Sequence, residues 1–287
     1  MKKIFFLLCF VLLATHVLFA DEPAVYSVKK TKVNLSEKPV VDAEYWKDVK
    51  EISVNLMGQL IVKPKTEKAE TESIKVQILH DGKYIAFRLR WADKEKSEAG
   101  KLGEFSDAVA LEFPVKDNAN PPPIFMGFKD NPVHLFHWRA QYQYDEEHGK
   151  KTIKDIYPNL SSDMYPLDYA DSGSIRNITD AKKEVFSPGV AAGNPQSYPK
   201  RAIDEIMAEG FGTSGVRKDH DSIGHGEWKD GEWTVIIARA LNRPDGSVLE
   251  ESKGSAFGAA VWQGGLGEVA SRKSLTMIWT PFKLEVK

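Results

Sequence analysis

Cysteine is almost missing from these 287 residues, and the only one, Cys9, stands inside an apolar leader. Disulfides, iron–sulfur ligation, CxxCH haem attachment and thiol catalysis are therefore excluded together. Any metal must be held by His, Met, Lys or carboxylates. A charge excess of one sign is missing as well, since 39 Lys and Arg face 41 Asp and Glu, and this speaks against a nucleic-acid surface. There is no GxSxG, no HExxH and no phosphate-binding glycine loop, so catalysis by this chain alone is not expected. Gly264-Gly265-Leu266-Gly267 follows a β-like run without a helical pattern and reads as a turn. Long hydrophobic runs are lacking too. The apolar stretch from Ile4 to Ala14 is interrupted by Thr15 and His16, short of the roughly 18 residues that a membrane span needs.

That stretch follows Lys2 and Lys3 and leads to Ala20 before Asp21, the pattern of a secretory signal peptide over residues 1–20. The Arg pair of a twin-arginine signal is absent, so Sec-type export of an unfolded chain is expected, to a periplasm or an equivalent organelle lumen. Loss of Lys2 and Lys3 would leave 37 basic against 41 acidic residues, a charge of −4. The remainder, residues 21–287, is read as one domain.

Alternation with a period of two dominates the pattern that is present. Ile74, Val76 and Ile78 alternate, as do Ile85, Phe87, Leu89 and Trp91, and the two runs flank the turn His80-Asp81-Gly82-Lys83. A second hairpin is expected around Lys229-Asp230-Gly231. Further strands are predicted over Glu51–Val62, Ala108–Phe113, Val133–Gln141, Ala256–Gln263 and Ser274–Trp279. Many short strands imply an all-β sandwich or barrel. The one helix expected is Ala202–Glu209. From about 144 to 200 the periodicity dissolves into Pro, Gly, Ser, Asn and Asp, a long excursion of the kind that wraps a partner.

Among candidate ligands, His134 and His137 lie three apart on one expected strand and so point to opposite faces; they do not converge on one metal. His80, His148, His220 and His225 occur in turn or loop sequence. Met126 follows Pro121-Pro122-Pro123 and precedes Gly127; its thioether suits haem iron, and it equally suits a gap in a core. Lys273, taken alone, is a lysine at a strand edge. As an iron ligand its amine must be neutral, which costs about 4–5 kcal/mol at pH 7 from an ordinary pKa near 10.4.

Taken in order, the blocks Val54–Gln59, His80–Gly82, Ala86–Asp93, Asp107–Pro114, Phe125–Gly127, Leu135–Ala140, Ala259–Trp262 and Lys273–Ser274 resemble the haem b (gamma) subunits of the type II dimethyl sulfoxide reductase group. Ethylbenzene dehydrogenase gamma is among them. The likeness covers most of the chain beyond the leader, and Ala208–Thr213 with the 157–198 stretch looks most like nitrite oxidoreductase gamma subunits. What the resemblance implies is a DOMON-like β-sandwich holding one non-covalent haem b. The axial ligands then fall on Met126 and Lys273; Phe125, Trp138 and Trp262 are candidates for the pocket walls, and equally for packing residues. The partners implied are a beta subunit with iron–sulfur clusters, an alpha subunit with molybdenum bis(guanine dinucleotide), and a soluble cytochrome c as the redox partner. The chain would relay electrons and leave substrate chemistry to alpha.

Two rivals stand beside this reading. One is a β-sandwich that binds carbohydrate through some of its seven tryptophans and holds no haem. The other is a sandwich cytochrome with Met and His ligation, for which His137 is the candidate.

Overall fold

The computed structural model describes residues 24–98, 101–116, 121–149, 151, 153–159, 192, 201–218, 221–243 and 246–286. The expected signal peptide, His220 and most of the 144–200 excursion lie outside the described residues.

The regular structure of the described residues is mostly strand: β1 Tyr26–Lys30, β2 Ile52–Asn55, β3 Met57–Gly58, β4 Ser73–His80, β5 Tyr84–Ala92, β6 Ala108–Pro114, β7 Val133–Arg139, β8 Ile203–Ala208, β9 Gly215–Val216, β10 Ile223–Lys229, β11 Glu232–Ala240, β12 Gly254–Trp262, β13 Ser274–Leu275 and β14 Thr280–Leu284. Two short helices, α1 Ala140–His148 and α2 Ile153–Ile156, follow β7. The strands form one continuous path, β10-β11-β5-β4-β1-β14-β12-β6-β7-β8-β9. The path curls so that its two halves face each other as a sandwich. No helix among the described residues is long and apolar enough to cross a membrane.

Both expected hairpins form for the reasons their sequences suggest. Asp81 accepts the amides of Lys83 and Tyr84, each at 2.7 Å, so it closes its own turn. Asp230 (φ 52°) and Gly231 (φ 84°) are the two central residues between the paired Lys229 and Glu232, as a tight hairpin with right-handed strand twist requires.

The alternation sorts side chains between two faces. Ile74, Val76, Ile78, Phe87, Leu89 and Trp91 meet Val109, Leu111, Phe113, Phe136, Phe257 and Phe282 in the main core. Phe87 sits at its centre, edge-on to Phe113, Phe257 and Phe282 at 5.4–6.0 Å, a favoured aromatic geometry. The opposite face of β5 and β11, with Ala86, Ile236 and Ala238, is covered by Leu35, Val41, Trp46 and Val49.

Four expected elements are corrected. The expected strand Val133–Gln141 stops at Arg139, and Ala140 and Gln141 open α1. Ala202–Glu209 forms β8, not a helix: its helix-favouring residues are overridden by full pairing with β7, Val133↔Ala208 through Trp138↔Ile203. Glu51–Val62 yields only β2 and β3, because the chain turns back after Gly58 and the Thr66 amide donates to the Gln59 carbonyl at 2.7 Å. Of Ser274–Trp279, only Ser274 and Leu275 pair as a strand, with the next strand starting at Thr280.

His134 is explained by the fold. It is fully buried between Ser247 Oγ and Glu205 Oε2, each 3.2 Å from a ring nitrogen. Arg243 reaches the same Glu205 oxygen at 3.0 Å. This buried charge network ties β7 and β8 to the segment after β11.

Candidate functional site

The faces of β6, β7 and β12 that turn away from the main core floor a cavity of about 440 Å³. Period-two geometry decides its lining: where Val109, Leu111 and Phe136 go inward, Ala110, Glu112, Leu135 and His137 go outward. Part of the floor, along β6 and β12, is made of small residues. Ala110 lies opposite Ala260, and Gly258 lies opposite Glu112. A Cβ on Gly258 would come within 2.8 Å of Ile124 Cδ1. Such a floor suits a planar ligand. Leu60, Ile61 and Phe211, all about half exposed, stand around the cavity.

One wall is the prolyl segment. Met126 has φ +70°, a left-handed conformation uncommon for a residue with a side chain, and Gly127 follows at +71°. The bend is held in place, since the Gly210 amide donates to the Met126 carbonyl at 2.7 Å and Trp279 Nε1 to the Pro122 carbonyl at 2.6 Å. Gly127 has no room for a Cβ, which would lie 2.8 Å from the Ala208 carbonyl oxygen. Backbone strain of this kind costs about 1–3 kcal/mol and gathers at ligand clamps. Here it presents Phe125 and Met126 to the cavity.

The other wall carries Lys273, on the loop leading into β13. Trp262 Nε1 donates to the Ala270 carbonyl at 3.0 Å, and Gln59 Nε2 donates to the Ser271 carbonyl at 3.1 Å and to that of Val62 at 2.7 Å. Gln59 thus fastens two walls of the cavity together. Next along the chain, Ser274 Oγ takes the Thr71 amide at 3.1 Å and lies 3.3 Å from Glu268 Oε1. Glu268 also accepts the Gln263 amide at 2.8 Å.

Burial pushes the Glu268 carboxyl up to about 7, against those hydrogen bonds. An acid whose folded pKa is raised contributes most below its unfolded value, and the contribution is lost as pH rises through the folded one. From 4.5 to about 7 the gap is worth roughly 3 kcal/mol. Glu268→Gln should therefore gain stability over the parent by about 2–3 kcal/mol between pH 5 and pH 8. Urea unfolding at the two pH values measures this. A difference independent of pH would contradict the burial of a neutral acid there.

Inside the cavity, the Lys273 ammonium is disfavoured by burial and lowered from its ordinary value, with Glu112 opposing the shift. Its Nζ stands 5.0 Å from the Trp262 ring centre. Burial drives Glu112 up to about 8, with Lys273 and the Met126 amide pulling the other way. Glu112 Oε1 has no hydrogen-bond partner among the described residues, and neither has His137 Nε2. His137 is held neutral by burial, by Arg139 and by Lys273.

The structure therefore brings Phe125, Met126, Trp262 and Lys273 together on one cavity. Trp138, expected as a further wall, lies elsewhere. It neighbours His137 on β7 and must face the other way, into the core, where it packs edge-on to Trp233 at 5.1 Å and donates to Gln143 at 2.9 Å. It also explains two glycines of β10, since a Cβ on Gly226 would meet its ring at 2.6 Å and one on Gly224 at 3.0 Å. Glu112 and Gln59 went unnoticed in the sequence. The signal for Glu112 was there: it is the one charge in the apolar run Ala108–Phe113.

Residues 43–274 match a family model described as ethylbenzene dehydrogenase. The chlorate reductase subunit gamma of Ideonella dechloratans is 23% identical over 214 residues, 74% of this chain and 64% of that protein. A protein of Haloferax mediterranei named as a respiratory nitrate reductase heme subunit is 31% identical over 106 residues, 36% of this chain and 38% of its own length. The matched regions thus span less than two thirds of either relative. Among solved structures, a carbohydrate-binding protein from Bacteroides uniformis matches with a TM-score of 0.46 at 8% identity, over 92% of this chain and all of the other. A family 9 carbohydrate-binding module from Caldicellulosiruptor kristjanssonii, in complex with cellotriose, gives 0.41 at 10% identity, over 92% and 95%. Likeness at this level does not carry a ligand with it.

Proposed function

This chain belongs to the ethylbenzene dehydrogenase family, and from that premise we propose that its cavity takes one non-covalent haem b between Met126 and Lys273, and that the protein is the electron-carrying gamma subunit of an exported molybdoenzyme complex. The observation that carries the reading is that a thioether side chain and an amine whose charge is disfavoured by burial line one and the same cavity, above small residues of β6 and β12. The names of the two curated relatives, a gamma subunit and a heme subunit of reductases, point the same way.

The residues fit the group. Small side chains leave room over part of the floor, burial disfavours the charged form of the amine, and the chain beyond Cys9 has no cysteine for a covalent link. When bound, haem iron supplies one-electron transfer between its ferric and ferrous states. The protein's own part is to fix ligands and tune them. Met126 favours the reduced state and raises the potential. Desolvation shifts Lys273 toward its neutral form, and Glu112 offers an acceptor beside it. The apolar walls exclude water, which further sets the potential. Iron–sulfur beta and molybdenum alpha subunits and a soluble cytochrome c are the proposed partners. Nitrite oxidoreductase is the proposed subfamily, and export by the leader places the complex in a periplasm or equivalent lumen.

Purification from the native source tests the partners. Two larger subunits carrying molybdenum and iron–sulfur clusters should accompany this chain through successive columns. A chain that elutes alone at every ionic strength, with its haem intact, would contradict membership of a complex.

A further inference from the structure

His137 lines the cavity, and its neighbours settle which of its nitrogens carries the proton. Nδ1 lies 3.2 Å from Arg139 Nη2. A guanidinium only donates, so Nδ1 is the acceptor of that bond. The single proton of the neutral ring is then on Nε2. The guanidinium is itself held: it lies 4.4 Å over the Tyr142 ring and 3.7 Å from Asp204, with Tyr142 Oη taking a further hydrogen bond. The imidazole is also fixed in plane, stacked on Trp262 at 4.6 Å and 26°. What remains is an N–H donor, buried and without a partner among the described residues.

We propose that His137 is a positioning residue whose Nε2–H hydrogen-bonds a carboxylate of the cavity's ligand, and that it is not an axial ligand to iron. The proposal rests on the haem reading, in which the carboxylates are the two propionates of the porphyrin. An iron ligand needs a lone pair on Nε2. Supplying it would move the proton to Nδ1, against the Arg139 donor. A propionate instead takes the proton as it stands, and a charged acceptor makes the bond stronger than a neutral one. Because only one edge of a haem carries propionates, such a donor also selects which way round the ring enters.

The test uses the full chain loaded with haem, with transfer to an excess of apomyoglobin as the readout and the low-spin absorption bands recorded in parallel. His137→Phe keeps the stacking and removes the donor. It should release haem about tenfold faster while the low-spin bands stay unchanged. His137→Gln, which restores an N–H, should recover part of the difference. As a second probe, haem dimethyl ester lacks ionised carboxylates, and the parent and His137→Phe should release it at equal rates. Equal release rates for haem itself would overturn the proposal. So would loss of the low-spin bands in His137→Phe, since that would make His137 a ligand. A parent chain that binds no haem at all removes the reading beneath it instead, which keeps the two failures apart.

Discussion

Lys273→Ala should bind haem yet lose the low-spin spectrum, leaving iron that is five-coordinate or capped by water. The argument starts from cost. An amine with an ordinary pKa near 10.4 is charged at pH 7, and neutralising it takes about 4–5 kcal/mol. Here burial has already lowered that value, so the fold has met part of the cost before any ligand arrives. A haem iron bound there would be offered a neutral nitrogen ligand. In the ligand-free chain the same side chain is a liability: a partly buried amine meets Glu112 only through its field, and no hydrogen bond or ion pair of the amine is seen among the described residues. The variant should accordingly show two opposite effects, with the low-spin bands gone and the ligand-free protein no less stable than the parent by urea unfolding. If Lys273→Ala kept its low-spin bands, the ligand assignment would be wrong. Loss of several kcal/mol from the ligand-free form would make Lys273 a structural residue.

Gly58→Ala should do the reverse, damaging the scaffold first and the haem site through it. Gly58 pairs with Ser274 across β3 and β13, directly beside Lys273. The chain then folds back, so that an added Cβ would lie 2.1 Å from the Thr66 carbonyl oxygen and 3.0 Å from its carbon. Those atoms are backbone and cannot swing aside. Gln59 draws the loop tight, its Oε1 taking the amides of Ile61 and Val62 at 2.6 Å each. Overpacking of this type costs about 1–3 kcal/mol, and more where backbone must move. The loop that must move carries Leu60, Ile61 and Val62 of the cavity wall. Thermal unfolding should fall by several degrees, and haem should dissociate faster even though no ligand has changed. Unaltered stability would show that the 59–66 loop is not packed as described.

How far the sequence reveals this depends on the kind of signal. Strands with one buried face, such as Ile85, Phe87, Leu89 and Trp91, announce themselves by alternation, and Asp230-Gly231 announces its turn. β8 does not, because Ile203–Ala208 is rich in helix formers and becomes a strand only through pairing with β7, which is remote in sequence. Its Glu205 looks like a solvated charge and is in fact fully buried among His134 and Arg243. α1 was missed because Val133–Gln141 reads as one β run, and the change of structure at Ala140 is not marked by proline or glycine. At the site, the prolyl segment before Gly127 marks Met126 as a candidate, but the ligand roles of Met126 and Lys273 follow only from a resemblance, since neither residue type is diagnostic alone. Sequence alone could say that Trp138 and His137 face opposite ways, being adjacent in a strand, but not which of the two faces the cavity.

The most direct measurement is the visible absorption spectrum and iron-to-protein ratio of the chain purified from its native source. One iron per chain should be found, with a sharp Soret band and resolved α and β bands on reduction, and the pigment should extract completely into acidified acetone. Colourless, iron-free protein from native material would contradict the account and leave an all-β chain with a cavity for some other ligand.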